Sequence, residues 1–245
     1  MGDVGHMRLD SRGASRATTD VLRLYLVTDP DLCADYGVAA TVRDAIRGGV
    51  TIVQLRDKEA TTPSLVATGR GLIDILAGTG VPLIINDDVE AAIAIGADGI
   101  HVGQGDMNVE DVRRMVGPRM MIGLSCESVG DARAADPGLV DYIGVSPVFT
   151  TPTKTDHSGA VGLAGLHDIA AATSIPKVAI GGIKIQHFDS VFAAGADGVA
   201  VVSAICGQAD VEQAARKLSE EAVRALAARH EPDAAADGKV MRTLS

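Results

Sequence analysis

Short runs of consecutive apolar residues recur along the chain, and each leads into a stretch whose apolar positions repeat at helical rather than alternating spacing. Residues 23–29 (RLYLVTD) read as a buried strand halted at Asp29-Pro30, and Val38–Arg47 as the helix after it, stopped at Gly48-Gly49. Residues 51–56 begin a second unit, whose helix spans 63–76 with Pro63 in its first turn. Leu83-Ile84-Ile85 and residues 99–105 give the third and fourth strands, followed by helices at Val89–Ile95 and Val109–Val116. Residues 120–125 precede a short helix at 129–135, and residues 142–146 precede a long polar loop, 147–162, and a helix at 163–172. Strand 177–180 with helix 186–194, and strand 199–202 with helix 211–228, complete the series.

Eight strand patterns alternating with eight helical ones over about 200 residues predict a single (β/α)8 TIM barrel, an α/β fold. A doubly wound open sheet is the runner-up, because alternation alone does not dictate closure. Gly96-Ala97-Asp98-Gly99 recurs half a barrel away as Gly195-Ala196-Asp197-Gly198. In both copies the glycine is expected to end a helix in a left-handed conformation and the aspartate to turn the chain into the next strand. Residues 1–20 are polar and rich in Arg, Ser and Thr, and residues 229–245 lack apolar periodicity. They read as a flexible N-terminal arm and a disordered C-terminal tail around a catalytic barrel at 21–228.

Hydrophobic residues make up 47% of the chain and aromatic residues only 2%, so the core is expected to consist of Val, Ile, Leu and Ala. A net charge of −10 argues against a general nucleic-acid surface. No apolar run reaches the roughly 18 residues that span a bilayer. Cys33, Cys126 and Cys206 lie far apart and fit no zinc spacing, which predicts reduced thiols in the cytoplasm. In so acidic a protein, anionic small-molecule substrates require cations concentrated in one place.

A barrel gathers its chemistry at the C-terminal ends of its strands. The third strand ends in Asn86-Asp87-Asp88 and the fourth in Gly103-Gln104-Gly105-Asp106, so Asp87 and Asp106 are expected to emerge side by side. Two carboxylates there suit a hard divalent cation that keeps some water and bridges to phosphate oxygens; as single residues they would equally serve as helix caps. The second strand ends Gln54-Leu55-Arg56-Asp57-Lys58, and alternation sends Gln54, Arg56 and Lys58 to one side, a grip suited to a diphosphate. Ser125 ends the fifth strand with a hydroxyl and no His or Asp in triad spacing. The loop after the sixth strand offers Thr150, Thr151, Thr153, Lys154 and Thr155 as further donors. Gly181-Gly182 and Val202-Ser203 end the last two strands, where barrels commonly hold a phosphate on backbone N–H groups. His101 and Cys126 read as core residues, and general acid–base machinery is sparse. Such a site suggests joining a diphosphate-activated fragment to a phosphorylated one, with the protein stabilising departing negative charge.

At these residues the chain closely resembles the thiamine-phosphate synthase family. The resemblance runs from Leu24 to about Ala204 through Gln54-Leu55-Arg56-Asp57-Lys58, Asn86-Asp87-Asp88, Gly103-Gln104-Gly105-Asp106, Thr151-Pro152-Thr153-Lys154 and Ile180-Gly181-Gly182-Ile183. It implies that an aminopyrimidine-methyl diphosphate (HMP-PP) loses pyrophosphate in a Mg²⁺-dependent, dissociative, carbocation-like substitution, and that the ring nitrogen of a thiazole phosphate attacks the exposed methylene carbon. It implies further that Gln54, Arg56, Lys58, Asn86, Ser125 and Lys154 bind the pyrimidine diphosphate, with Arg56, Ser125 and Lys154 catalytic, and that Asp87 and Asp106 hold Mg²⁺. Thr151, Thr153, Gly182, Val202 and Ser203 would hold the thiazole phosphate. Ser146 stands where the family often has glycine. Two rivals share part of this pattern, a thiazole tautomerase and a non-catalytic regulatory barrel that binds thiazole phosphate; neither requires the metal pair together with the diphosphate grip. A homodimer formed through outer helices is expected by analogy of fold alone.

Overall fold

Branched aliphatic residues dominate the strand patterns, as befits ladders buried on both faces. In the computed structural model, which describes residues 19–150 and 159–230, the first strands are β1 (Leu24–Val27), β2 (Ile52–Leu55), β3 (Leu83–Asn86) and β4 (Gly99–Val102). They continue as β5 (Met121–Cys126), β6 (Tyr142–Val145), β7 (Lys177–Ala179) and β8 (Gly198–Val201). The strands pair in parallel and in chain order, and β8 returns to β1 with Leu24 opposite Val199. Closure excludes the open-sheet alternative. Around the barrel lie α2 (Val38–Arg47), α3 (Thr62–Leu76), α4 (Val89–Ile95) and α5 (Val109–Val116), then α6 (Val129–Ala134), α7 (Gly162–Ala172), α8 (Phe188–Ala193) and α9 (Val211–His230).

Several element ends fall one to three residues from expectation, and three of the differences bear on the fold. A short helix, α1 (Thr19–Leu22), starts inside the segment read as an N-terminal arm. It is too short to carry a periodic signal, and tertiary packing explains it, since Leu22 is fully buried among the residues inside the barrel. The helix expected at 186–194 opens with a 3₁₀ turn, Ile185–His187, and α9 runs to His230, past the expected end at 228. The remainder of the expected arm and tail, residues 1–18 and 231–245, lies outside the described residues. The repeated tetrapeptide behaves as read: Gly96 and Gly195 have positive φ (72° and 108°), and Asp98 and Asp197 lead into β4 and β8.

The core has two shells. One lies between barrel and helices and is almost wholly aliphatic. The other fills the barrel, with Leu22, Ile52, Ile84 and Met121 toward its N-terminal end and the rings of Tyr25 and Tyr142 above them. Four of the six aromatic residues are thus spent in the interior, Phe188 and Phe192 of α8 being fully buried as well, while Tyr36 is exposed.

The N-terminal end of the barrel is fastened by a recurring device. The residue before each even strand accepts a hydrogen bond from the first backbone N–H of the odd strand beside it, or from the second in one case. Thr51 Oγ1 accepts from Leu24 N at 3.0 Å, Asp98 Oδ2 from Leu83 N at 2.9 Å, Asp141 Oδ2 from Ile122 N at 2.9 Å and Asp197 Oδ2 from Lys177 N at 2.9 Å. Asp141 also pairs with Arg113 at 2.9 Å, and Arg113 donates to the carbonyls of Gly117, Met120 and Leu139. Removing this carboxylate would leave a strand N–H without its acceptor and a mostly buried guanidinium without its counter-charge. Asp141→Ala is therefore expected to lower unfolding free energy by about 2–4 kcal/mol in chemical denaturation. Any catalytic constant should stay within about twofold of wild type, because the change sits at the end of the barrel opposite the active face.

Candidate active site

The strands deliver their polar residues to one mouth because the ladder continues past their ends. Thr28, buried after β1, donates its N–H to the Gln54 carbonyl at 2.9 Å and accepts from the Arg56 N–H through Oγ1 at 3.0 Å. This clamps residues 54–56 in strand alternation. Gln54 consequently turns inward and is 5% exposed. Asp57 faces the other way and caps the turn, accepting from the N–H groups of Glu59 and Ala60. Arg56 and Lys58 are left facing the mouth.

The three residues after β3 have separate fates. Asp88 is a helix cap, with Oδ1 accepting from Ala91 N at 2.7 Å and Oδ2 from the Thr62 hydroxyl at 2.7 Å. Asp87 is no cap. Its φ of 63° is left-handed, the sole such value at a non-glycine residue among those described, and such a backbone costs about 1–3 kcal/mol. Its N–H is tied to the His101 carbonyl at 2.9 Å. The loop after β4 is pinned by Gln104 Nε2, which donates to the Ser125 carbonyl at 2.7 Å, and by Asp106 Oδ2, which accepts from Gly103 N at 2.7 Å. The carboxyl groups of Asp87 and Asp106 come within hydrogen-bonding range. Burial first, and then the Asp106 charge, push Asp87 up to about 6, against the opposing influence of Lys58 and Asn86.

That donor set fits a divalent cation. Two facing carboxylates, one held above its usual range by burial and then by the other's charge, gain by sharing a positive ion in place of a proton. Among the described residues no group of three or more His, Cys, Asp or Glu gathers as a complete cage. The remaining coordination positions would therefore fall to water and substrate oxygens.

Across the mouth, Gly181 and Gly182 both have positive φ (98° and 63°). A Cβ on Gly182 would lie 2.7 Å from the Thr150 carbonyl oxygen and 2.8 Å from Phe149 Cβ. Residues 148–150 cover the turn closely, with Val148 and Phe149 N–H donating to the carbonyls of Ile180 and Gly181. Tight packing alone thus accounts for glycine here, beside any anion the turn holds. Ser146, at the position where glycine was noted as common, is 5% exposed and continues the β6 path, donating its N–H to the Cys126 carbonyl at 3.3 Å.

Two adjoining cavities open at this face. One, of about 640 Å³, is lined by Tyr25, Gln54, Gly182, Val202 and Ser203 among others; the second, of about 590 Å³, is lined by Lys58, Asp87 and Asp106 among others. Arg56, Asn86, His101 and Ser125 line both. The described members of the expected site thus converge on one continuous opening. Thr151, Thr153 and Lys154 lie outside the described residues.

Sequence spacing missed the partner of Ser125. His101 Nε2 lies 3.0 Å from Ser125 Oγ, because β4 and β5 pair with His101 opposite Gly123 and both side chains point inward. The other imidazole nitrogen meets the Tyr142 hydroxyl at 3.1 Å rather than a carboxylate, so this is not a nucleophilic triad. Thr28 and Gln104 also escaped notice; their roles depend on contacts between strands, not on local sequence.

Residues 24–205 match the family described as thiamine monophosphate synthase. A thiamine-phosphate synthase from Xanthobacter autotrophicus is 50% identical over 197 residues, 80% of this chain and 93% of its own. Another, from Azorhizobium caulinodans, is 47% identical over 197 residues with the same coverages, 80% and 93%. Among solved structures, a thiamine phosphate pyrophosphorylase from Pyrococcus furiosus superposes with a TM-score of 0.78 at 34% identity, covering 85% of this chain and 98% of that one.

The raised Asp87 value has a measurable consequence. Above pH 6 the carboxyl is already ionised and a cation meets no competing proton; below it, binding must displace one. Titration calorimetry with a divalent cation is expected to show affinity flat above that pH and falling by up to about tenfold per unit below it. In Asp87→Asn affinity should be weak throughout and that pH step should vanish.

Proposed function

The chain belongs to the thiamine monophosphate synthase family, and we propose from that premise how the residues of its barrel mouth divide the work of the reaction. It is a thiamine-phosphate synthase, a transferase that joins HMP-PP to thiazole phosphate and releases pyrophosphate. One observation carries the assignment of roles. A cavity lined by Arg56 and Lys58 together with the facing carboxylates Asp87 and Asp106, and edged by Glu127 and Asp131, runs into a second, largely apolar one through shared walls at Arg56, Asn86, His101 and Ser125. A diphosphate in the first and a heteroaromatic pair in the second would meet at that junction. A tautomerase or a regulatory barrel has no use for the charged half.

In this reading Asp87 and Asp106 would hold a divalent cation, Mg²⁺, beside the diphosphate. When bound, the cation neutralises charge that develops on the leaving group. Arg56 and Lys58 do the same from the loop after β2, Arg56 as a planar fork and Lys58 as a point charge, and Lys154 is assigned the same role. Gln54, Asn86 and Ser125 orient the pyrimidine. Tyr25, Val178, Ile180 and Ala200 line the apolar cavity and keep water from a methylene that turns cation-like as its bond to oxygen lengthens. The thiazole phosphate is assigned to Gly182, Val202 and Ser203 with Thr151 and Thr153, which would hold the ring nitrogen within reach of that carbon. The carbon–oxygen bond breaks ahead of bond formation, its electron pair leaving with pyrophosphate, and the lone pair of the ring nitrogen then closes the nitrogen–carbon bond. We place the enzyme in the cytoplasm, to which three buried free cysteines are suited. A homodimer is the working expectation by analogy of fold.

Mixing the protein with both phosphorylated fragments and Mg²⁺ is expected to release pyrophosphate in step with thiamine phosphate, measured by a coupled pyrophosphate assay and chromatography. Asp87→Ala should lower turnover by about 10²–10³-fold with an unchanged circular dichroism spectrum. Near-normal turnover would remove Asp87 from the metal site.

A further inference from the structure

Five side chains from five strands meet in one line across the barrel interior. Gln54 Nε2 on β2 lies 2.8 Å from Tyr25 Oη on β1, which lies 2.8 Å from Tyr142 Oη on β6. Tyr142 Oη lies 3.1 Å from His101 Nδ1 on β4, and His101 Nε2 lies 3.0 Å from Ser125 Oγ on β5. Both ends of the line belong to the wall of the apolar cavity. Room for it is made by Gly123, where a Cβ would sit 2.2 Å from Tyr142 Cζ and 2.4 Å from His101 Nδ1.

The line can carry its protons in one sense or the other, but not a mixture. Burial pushes both phenols above the usual tyrosine range, so each keeps its proton and donates once. With the Gln54 amide donating to Tyr25, Tyr25 must donate to Tyr142 and Tyr142 to His101 Nδ1. The imidazole proton then sits on Nε2 and points at Ser125 Oγ, and the serine proton is turned to the cavity. Gln54 meanwhile keeps its carbonyl oxygen as an acceptor. Reversing only part of the row would leave either facing lone pairs or a phenol proton without an acceptor in a buried setting, so the row reverses as a unit. The two ends accordingly always present opposite polarity.

We propose that Tyr25, Tyr142 and His101 are positioning residues: they couple the donor–acceptor sense of Gln54 to that of Ser125, and so fix which way round an aminopyrimidine ring is held. An amino group next to a ring nitrogen is itself a donor beside an acceptor, and a ring rotated by half a turn would meet the wrong partner at each end. This use of the line rests on the reading of Gln54 and Ser125 as the pyrimidine grip. The line's own coupling does not.

Nitrogen-15 NMR of histidine-labelled protein, with His101→Asn used to assign the resonance, reports the tautomer directly. The wild type should show the Nε2–H form. Gln54→Glu, whose carboxylate can only accept from Tyr25, should reverse the row and move the proton to Nδ1. Adding Tyr142→Phe to Gln54→Glu cuts the row and should abolish that switch. A His101 tautomer indifferent to Gln54→Glu in a folded protein would overturn the proposal. In kinetics, Tyr142→Phe leaves both grip residues in place and should lower kcat/KM for the pyrimidine diphosphate about tenfold, one lost hydrogen bond's worth, with KM for thiazole phosphate unchanged. An equal loss toward both substrates would reduce Tyr142 to a packing role and overturn its positioning one. If the tautomer switches as expected but the wild type forms no thiamine phosphate, the coupling stands and the substrate reading falls.

Discussion

A closed parallel sheet admits only alternate residues of each strand to its interior, so the register of eight short strands decides which chemistry reaches the mouth. Val27 pairs with Gln54, Asn86 with His101 and Ser125 with Gly144. Slipping β2 by one residue would carry Gln54 and Arg56 into the aliphatic shell beneath the helices, and Val53 and Leu55 into the cavity. Burying an unpaired guanidinium costs several kcal/mol, so the apolar pattern that holds the register also protects the site. The hydrogen bonds at the N-terminal end, from Thr51, Asp98, Asp141 and Asp197, act on the same constraint by tying the start of each odd strand to its neighbour.

The carboxylates show how finely a local backbone choice separates structure from chemistry. Asp88 and Asp87 are adjacent and chemically identical. Asp88, in extended conformation, folds onto the first turn of α4 and is satisfied there. Asp87 adopts a left-handed backbone instead and meets Asp106. Both the strain and the like-charge contact oppose folding, against which stand the hydrogen bond from the Asn86 side chain and the charge of Lys58. A cation between the two groups would relieve the second cost, which links occupancy of the site to the order of both loops.

Much of the fold was legible because its signals are local. Branched aliphatic runs ending in Asp or Gly mark the strands, and helices such as Val38–Arg47, Val89–Ile95 and Val109–Val116 carry caps or stops within a few residues of each end. The charged cavity was legible for a related reason: once strand order is known, Arg56, Lys58, Asp87 and Asp106 follow from counting to the end of each strand. What could not be read depends on register across the barrel. His101 and Ser125 are 24 positions apart, and Tyr25 and Tyr142 are 117 apart; their contacts exist because particular rungs face one another and Gly123 leaves space between them. The short helix at Thr19–Leu22 escaped for a different reason, since its placement follows from Leu22 filling the base of the barrel rather than from any pattern of its own.

The interior is therefore two materials stacked in one cylinder. Leu22, Ile52, Ile84 and Met121 form an apolar plug at the base, where nothing needs to be oriented and close packing suffices. Above it the same inward positions carry Tyr25, Tyr142, His101, Gln54 and Ser125, whose hydrogen bonds specify directions as well as distances. A polar layer of this kind is stable only if every member is satisfied, and here the phenols and the imidazole find partners within the row. The end members keep spare capacity toward the cavity: the serine hydroxyl and one side of the glutamine amide. The plug excludes water from beneath, so that spare capacity is directed at the ligand, and rigidity in the core becomes selectivity at the mouth.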